Sequence, residues 1–139
     1  MTGLYVETSA LLRVILEGDE SLRPHLLGKS RYSSAATFAE ARRAIVRAIK
    51  AVRLDASGAR QAMQRIAEFE RFCDVVSIDD AVLERVGREF PVEPMRTIDA
   101  IHLAAALALS AVGIDVTILS VDDRVRENAK ALGFVLLPG

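Results

Sequence analysis

A single α/β domain, with a central parallel sheet flanked by helices on both faces, is the fold class this sequence predicts. Three observations predict it. Short apolar runs of strand length alternate with longer stretches whose apolar residues recur at helical spacing, which is the signature of strand–helix–strand units. The 139 residues, 51% of them hydrophobic, suffice for one core and contain no repeat, low-complexity run or long linker, so residues 1–139 are expected to form one domain. Acidic residues recur where a strand gives way to a helix, and in parallel sheets ligands gather at the carboxyl ends of the strands.

The elements follow in order. Residues 3–7 form a buried strand closing on Glu7, and Thr8 or Ser9 caps the helix over SALLRVILEG, which ends near Gly18. DESLRPHLLGK adds a short helix broken around Pro24, and RYSS is a weak strand. A long helix runs from about Thr37 to Val52, with Phe38, Ala41, Ile45, Ala48, Ile49 and Val52 on one stripe. Asp55 or Ser57 caps the next helix, which reaches about Phe72 with Met63, Ile66 and Phe69 inward. DVVSI is a short strand, DDAVLERVGREF a helix, and PVEPMR a loop held by Pro91 and Pro94. TIDAIHLAAALALSAVG is a helix capped by Thr97 and stopped at Gly113. DVTILS is the clearest strand, DDRVRENAKALG the last helix and FVLL the last strand.

Composition excludes some classes. The longest apolar stretch, LAAALALSAVGI, is too short to cross a membrane, and Glu7 interrupts the first apolar run where a signal peptide would continue. A cytoplasmic protein without membrane contact is expected. The lone Cys73 cannot form an internal disulfide and is expected to be a small buried hydrophobe. Eighteen basic and nineteen acidic residues give a net charge of -1, which neither favours nor excludes nucleic acid. Locally the balance is uneven: RAIVRAIKAVR carries Arg43, Arg47, Lys50 and Arg53 with no acid. That series is either the solvated side of an amphipathic helix or a set of phosphate contacts, with Arg43, Arg47 and Lys50 the candidates for such contacts.

Four acids fall at junctions between elements. Glu7 closes the first strand, Asp122 follows DVTILS, Asp99 lies in the first turn of the Thr97 helix, and Glu40 lies early in the helix after RYSS. Carboxylates that converge raise one another's pKa unless something neutralises them. Oxygen-only ligands in that number suit Mg²⁺ or Mn²⁺, which activate water for phosphodiester hydrolysis. Each acid also has a plainer reading as a capping or helix-dipole residue, and the DD pair at Asp79 and Asp80 repeats the pattern around Asp122. His102 shares a helix face with Asp99, either as a ligand or proton carrier or as a packed histidine bonded to backbone. The sequence has no Walker A loop, no GxGxxG after a strand, no Cys/His cluster and no glycine-flanked nucleophile elbow.

In order, YVETSALLRVIL, SSAATFAEARRAI, MRTIDAIHLAAAL and ILSVDDRVRENAKALGF resemble the motifs of PIN-domain ribonucleases, most closely the VapC-type toxins of bacterial toxin–antitoxin pairs. The resemblance covers nearly the whole chain. It implies a PIN-like domain and Mg²⁺- or Mn²⁺-dependent cleavage of RNA. Glu7, Glu40, Asp99 and Asp122 would hold the metal and orient the attacking water. Thr8, Ser9 and Ser120 would steady those acids from behind. A homodimer silenced by a small cognate antitoxin is the implied assembly, and the Ala-rich helices add apolar surface in keeping with an interface.

One position departs from the pattern: Glu7 stands where the family usually has Asp. An extra methylene extends the carboxylate by about 1.3–1.5 Å, and Mg²⁺ tolerates little error in ligand geometry. With the other acids and Ser120 in place, Glu7→Asp is expected to keep or raise cleavage. The alternatives are a degenerate PIN domain that binds RNA or a protein partner without cutting, and an unrelated α/β domain using Asp99 and Asp122 in phosphoryl transfer.

Overall fold

The computed structural model describes residues 1–27 and 30–139. Five parallel strands, β1 (Thr2–Val6), β2 (Arg31–Ser34), β3 (Asp74–Val76), β4 (Asp115–Leu119) and β5 (Val135–Leu137), form one sheet in the order β3-β2-β1-β4-β5. The helices are α1 (Thr8–Ile15), α2 (Ala35–Lys50), α3 (Ala56–Arg71), α4 (Asp80–Val86), α5 (Thr97–Ala111) and α6 (Asp123–Ala131). From β1 the chain steps outward through β2 and β3, then returns to lay β4 on the other side of β1. The switch point therefore lies between β1 and β4, where a crevice opens at the carboxyl ends of the strands. Val6 pairs with Leu119 and Leu119 with Leu137, so three strands end level. The Glu7 N–H donates to the Leu119 carbonyl at 3.0 Å, and Glu7 and Ser120 emerge side by side at that crevice.

Alternation along the strands divides the apolar side chains between two layers. Leu4, Val6 and Leu119 pack with Leu11, Phe38, Ile45 and Ile66 of α1, α2 and α3. Tyr5, Val116 and Ile118 pack with Leu103, Ala106, Val125 and Ala129 of α5 and α6. Helix α5 is apolar on nearly every side because the sheet, α2, α4 and α6 all touch it. Ala104, Ala105 and Ala106 are buried inside the domain. Much of the apolar surface of AAALALSAVG is thus used within the chain, while Ala111 and Val112 at its end stay exposed.

Several boundaries differ from the sequence expectation, each for a local reason. Glu7 lies just beyond β1 and is itself the N-cap of α1, accepting from the Ser9 N–H, so Thr8 and Ser9 are helical residues and not the cap. Helix α1 ends at Ile15, short of Gly18. Pro24 sits inside the first turn of a short 3-10 segment, Arg23–Leu26, where its missing N–H costs nothing, so it opens the segment instead of breaking it. Gly28 and Lys29 of the expected DESLRPHLLGK helix lie outside the described residues. Helix α2 begins at Ala35, and its stripe stops at Ala48: Ile49 and Val52 are exposed. Asp55, not Ser57, caps α3 through the Gly58 N–H. Helix α4 stops at Val86, four residues before Phe90. Thr97 is the first residue of α5, and Arg96 is its N-cap residue without a side-chain cap. Cys73 is only half-buried, and burial pushes its thiol up to about 12, away from thiolate chemistry.

Helix α2 closes with the Arg53 N–H donating to the Ala48 carbonyl at 2.8 Å, across a Val52 whose φ is 57°. A left-handed residue in such a turn is normally glycine, because a β-branched Cβ crowds the backbone there. Val52 is 88% exposed and has little packing to lose. Val52→Gly is therefore expected to stabilise the domain by about 0.5–1 kcal/mol, read as a higher urea midpoint at unchanged slope. A lower midpoint would show that the turn is not under strain.

Candidate metal centre

The centre is built from the switch point outward. Capping α1 orients the Glu7 side chain, which is 4% exposed. Its Oε2 accepts from the Ser9 N–H at 2.9 Å, and its Oε1 accepts from Ser120 Oγ at 2.6 Å and from Ser9 Oγ. Ser120 Oγ also accepts from the Asp122 N–H at 3.1 Å, and Ser9 Oγ from the Val121 N–H at 3.0 Å. The two hydroxyls thus tie the end of β1 to the turn after β4.

Beside Glu7 stands His102, 1% exposed, on α5. Its Nε2 lies 2.7 Å from Glu40 Oε1, 3.1 Å from Thr8 Oγ1 and 4.0 Å from Glu7 Oε2, and its Nδ1 lies 2.8 Å from the Tyr5 hydroxyl. A carboxylate only accepts, so Nε2 carries the hydrogen toward Glu40, and Nδ1 accepts from Tyr5. Burial raises the Tyr5 pKa, which keeps that phenol a donor. Thr8 Oγ1 adds a second donor to Glu40 Oε1 at 2.5 Å. Burial alone would raise the Glu40 pKa, but the bonds from His102 and Thr8, with the nearby charge of Arg96, outweigh it and hold the carboxyl below its usual range.

A group whose folded pKa is depressed adds stability above its unfolded pKa and loses it as pH falls through the folded value. Wild type is therefore expected to melt higher than Glu40→Gln at neutral pH. The gap should close as pH falls below the usual carboxylate range. A gap independent of pH in paired melts would show that the charge of Glu40 is not what the network holds.

Asp99 and Asp122 form the other half. Asp99 is 3% exposed at the start of α5, and Arg96 forks onto it, Nε to Oδ2 at 2.9 Å and Nη2 to Oδ1 at 3.0 Å. The same Nη2 lies 3.5 Å from Asp122 Oδ2. Asp122 also caps α6 through Oδ1 and the Val125 N–H at 3.0 Å, just as Asp79 caps α4 through the Val82 N–H at 3.0 Å. The capping reading of Asp122 is thus correct and incomplete: its second oxygen turns to Arg96 and the crevice.

Ligand atoms of Glu7, Glu40 and His102 lie within 4.8 Å of one another, a spacing that one divalent ion can span with small adjustment. The donor set is dominated by hard oxygens, which fits Mg²⁺ or Mn²⁺. Since the Nε2 hydrogen of His102 points at Glu40, the imidazole orients that acid and is not itself poised as a ligand. Of the basic candidates, Arg43, Arg47 and Lys50 are all exposed. Arg43 and Arg47 border a depression of about 500 Å³ that includes Glu40 and Ile98. Arg47 also borders one of about 540 Å³ with Arg13, Arg53, Ser9 and Asp122, whereas Lys50 borders neither. Sequence reasoning missed Arg96 and Tyr5. The signal for Arg96 was its i, i+3 spacing to Asp99; Tyr5 carried none, because an aromatic in a buried strand is ordinary core.

The PIN domain family model matches residues 4–131. The chain belongs to the PIN-domain family. Within that family it resembles VapC ribonucleases. Ribonuclease VapC46 of Mycobacterium tuberculosis is 33% identical over 141 residues, covering 99% of this chain and 98% of that protein. Ribonuclease VapC35 of the same species is 33% identical over 143 residues, covering 98% and 97%. Among solved structures, VapBC2 from Rickettsia felis, bound to a DNA fragment from its promoter, aligns with a TM-score of 0.69 at 10% identity over 97% of both chains. Mycobacterium tuberculosis VapC20, a sarcin-ricin loop cleaving toxin, aligns with a TM-score of 0.66 at 18% identity over 95% of this chain and 96% of that one. The last two establish a shared PIN fold. Among the described residues, no helix is long and apolar enough to cross a membrane.

Proposed function

We propose that this PIN-domain protein is a Mg²⁺- or Mn²⁺-dependent endoribonuclease, the toxin of a toxin–antitoxin pair. The observation that carries it is the linkage of four carboxylates across one crevice. His102 stands between Glu40, at 2.7 Å, and Glu7, at 4.0 Å; Ser120 ties Glu7 to the backbone N–H of Asp122, whose carboxylate shares Arg96 with Asp99. Plain capping residues have no reason to converge in this way. Kinship along nearly the full length with proteins named ribonuclease supports the same reading.

In this mechanism Glu7, Glu40, Asp99 and Asp122 would hold the metal, which would supply an activated water and charge stabilisation at the phosphate. Ser9 and Ser120 fix the Glu7 carboxylate, and His102 with Thr8 fixes that of Glu40. Arg43 and Arg47 stand where an RNA backbone would approach Glu40, so that phosphates meet positive charge before they meet the acids. A small cognate antitoxin is the partner implied by the VapC likeness. The homodimer and the cytoplasmic location rest on that likeness and on composition alone.

Purified, partner-free protein incubated with a mixed RNA pool tests the proposal. Cutting in Mg²⁺ or Mn²⁺ that stops in EDTA is the expected result. No cutting with either metal, by folded protein free of copurified antitoxin, would leave a module that binds RNA or protein without cleaving.

A further inference from the structure

We propose that Arg96 is the built-in counter-cation of this acidic centre, a guanidinium that holds Asp99 and Asp122 together until a divalent ion displaces it. The inference rests on the metal-dependent reading above and adds a residue of this chain that regulates access to the ion.

One fork spans two elements. Arg96 uses Nε and Nη2 on the two oxygens of Asp99, at 2.9 and 3.0 Å, and shares Nη2 with Asp122 at 3.5 Å. Those acids open α5 and α6, so Arg96 joins the two helix starts that flank the crevice. A carboxylate buried as deeply as Asp99 is costly without a partner, and Arg96 supplies a bidentate one. The Arg96 side chain is itself 68% exposed. Its head can therefore leave for water while Asp99 cannot. Both oxygens of Asp99 face the guanidinium, so an ion binding either one shares that oxygen with an N–H donor and meets a positive charge beside it, which weakens the fork. The same group that stabilises the empty centre thus weakens its hold on metal, and the centre exchanges one cation for another.

The test compares wild type, Arg96→Gln and Arg96→Lys by Mn²⁺ titration calorimetry and by melting in EDTA. Lysine keeps the charge and loses the planar fork, so it separates the clamp from a general field effect. In EDTA both variants are expected to melt below wild type. With Mn²⁺ both are expected to bind about tenfold tighter, because the ion no longer competes with a bidentate guanidinium for the oxygens of Asp99. In wild type, the Arg96 Nε–H resonance should be protected in EDTA and should exchange with water once Mg²⁺ is added.

Arg96→Lys, the milder change, carries the comparison should Arg96→Gln fail to fold. Equal Mn²⁺ affinity in all three proteins, or a lysine variant indistinguishable from wild type, overturns the clamp and leaves the metal reading standing. Absence of Mn²⁺ binding by every protein overturns the metal reading, and the displacement falls with it.

Discussion

Asp99→Asn is expected to reduce metal-dependent RNA cleavage roughly 100- to 1,000-fold. The change keeps the shape of the side chain and removes its charge, so the loss should come from the chemistry of the centre and not from a cavity. Asp99 is the most enclosed acid in the centre after its partners are counted: it is 3% exposed, with both oxygens occupied by Arg96. An asparagine there can offer the guanidinium one acceptor, but its amide would set an N–H against the other donor. The variant should therefore melt somewhat lower than wild type while retaining its fold. Circular dichroism and Mn²⁺ titration on the same sample separate the cases. A folded Asp99→Asn protein with lost Mn²⁺ binding and lost cleavage is the expected outcome. Full cleavage by that protein would exclude Asp99 from the metal set and reduce it to a structural partner of Arg96.

The sequence carried the sheet order poorly and the junction positions of the acids well, for physical reasons. Strand–helix alternation is a local property, so each of the five strands had a signal, including the short β3 and β5. That β4 returns beside β1 is a long-range fact without a local signature, and it is the fact that brings Glu7 to Ser120. Acids at strand–helix junctions stand out because a buried edge seldom tolerates them. What spacing could not distinguish was a plain cap from one that also faces the crevice, as Asp79 and Asp122 show: both cap a helix with the same 3.0 Å bond, and of the two Asp122 has Arg96 beside its second oxygen. His102 was visible as a neighbour of Asp99 on the helix face, yet its bonds go to Glu40, Thr8 and Tyr5, which lie far away in sequence. Exposure of Ile49 and Val52 was illegible for another reason. Helical periodicity continues past the point where α2 leaves its neighbours, and nothing in the pattern marks where packing ends.

Glu7→Asp, expected from the sequence to keep or raise activity, is now expected to lower cleavage about 10- to 100-fold, the usual cost of disturbing a residue that orients a metal site. The longer acid is fitted to its surroundings. Glu7 Oε1 receives Ser120 Oγ at 2.6 Å, and Ser120 is fully buried, with its own oxygen committed to the Asp122 N–H. Withdrawing the carboxylate by about 1.3–1.5 Å would stretch that bond well past hydrogen-bonding range. It would also draw the charge away from Glu40 and His102, whose ligand atoms now share a 4.8 Å cluster with it. The cap of α1 should survive, since Asp serves as well as any residue at an N-cap and the Ser9 N–H is the nearest donor. The loss should therefore fall mainly on metal affinity and turnover, with the melting temperature lower by a few degrees because the buried Ser120 hydroxyl loses its acceptor. Ser120→Ala removes the same bond from the other side, so the two single variants should each weaken Mn²⁺ binding, and the double variant should be scarcely worse than Glu7→Asp alone. Additive losses would mean that Ser120 acts through Asp122 instead. A Glu7→Asp protein that cuts as fast as wild type would mean that β1 shifts to carry the shorter acid to the ion, and that the longer one is tolerated here and not required.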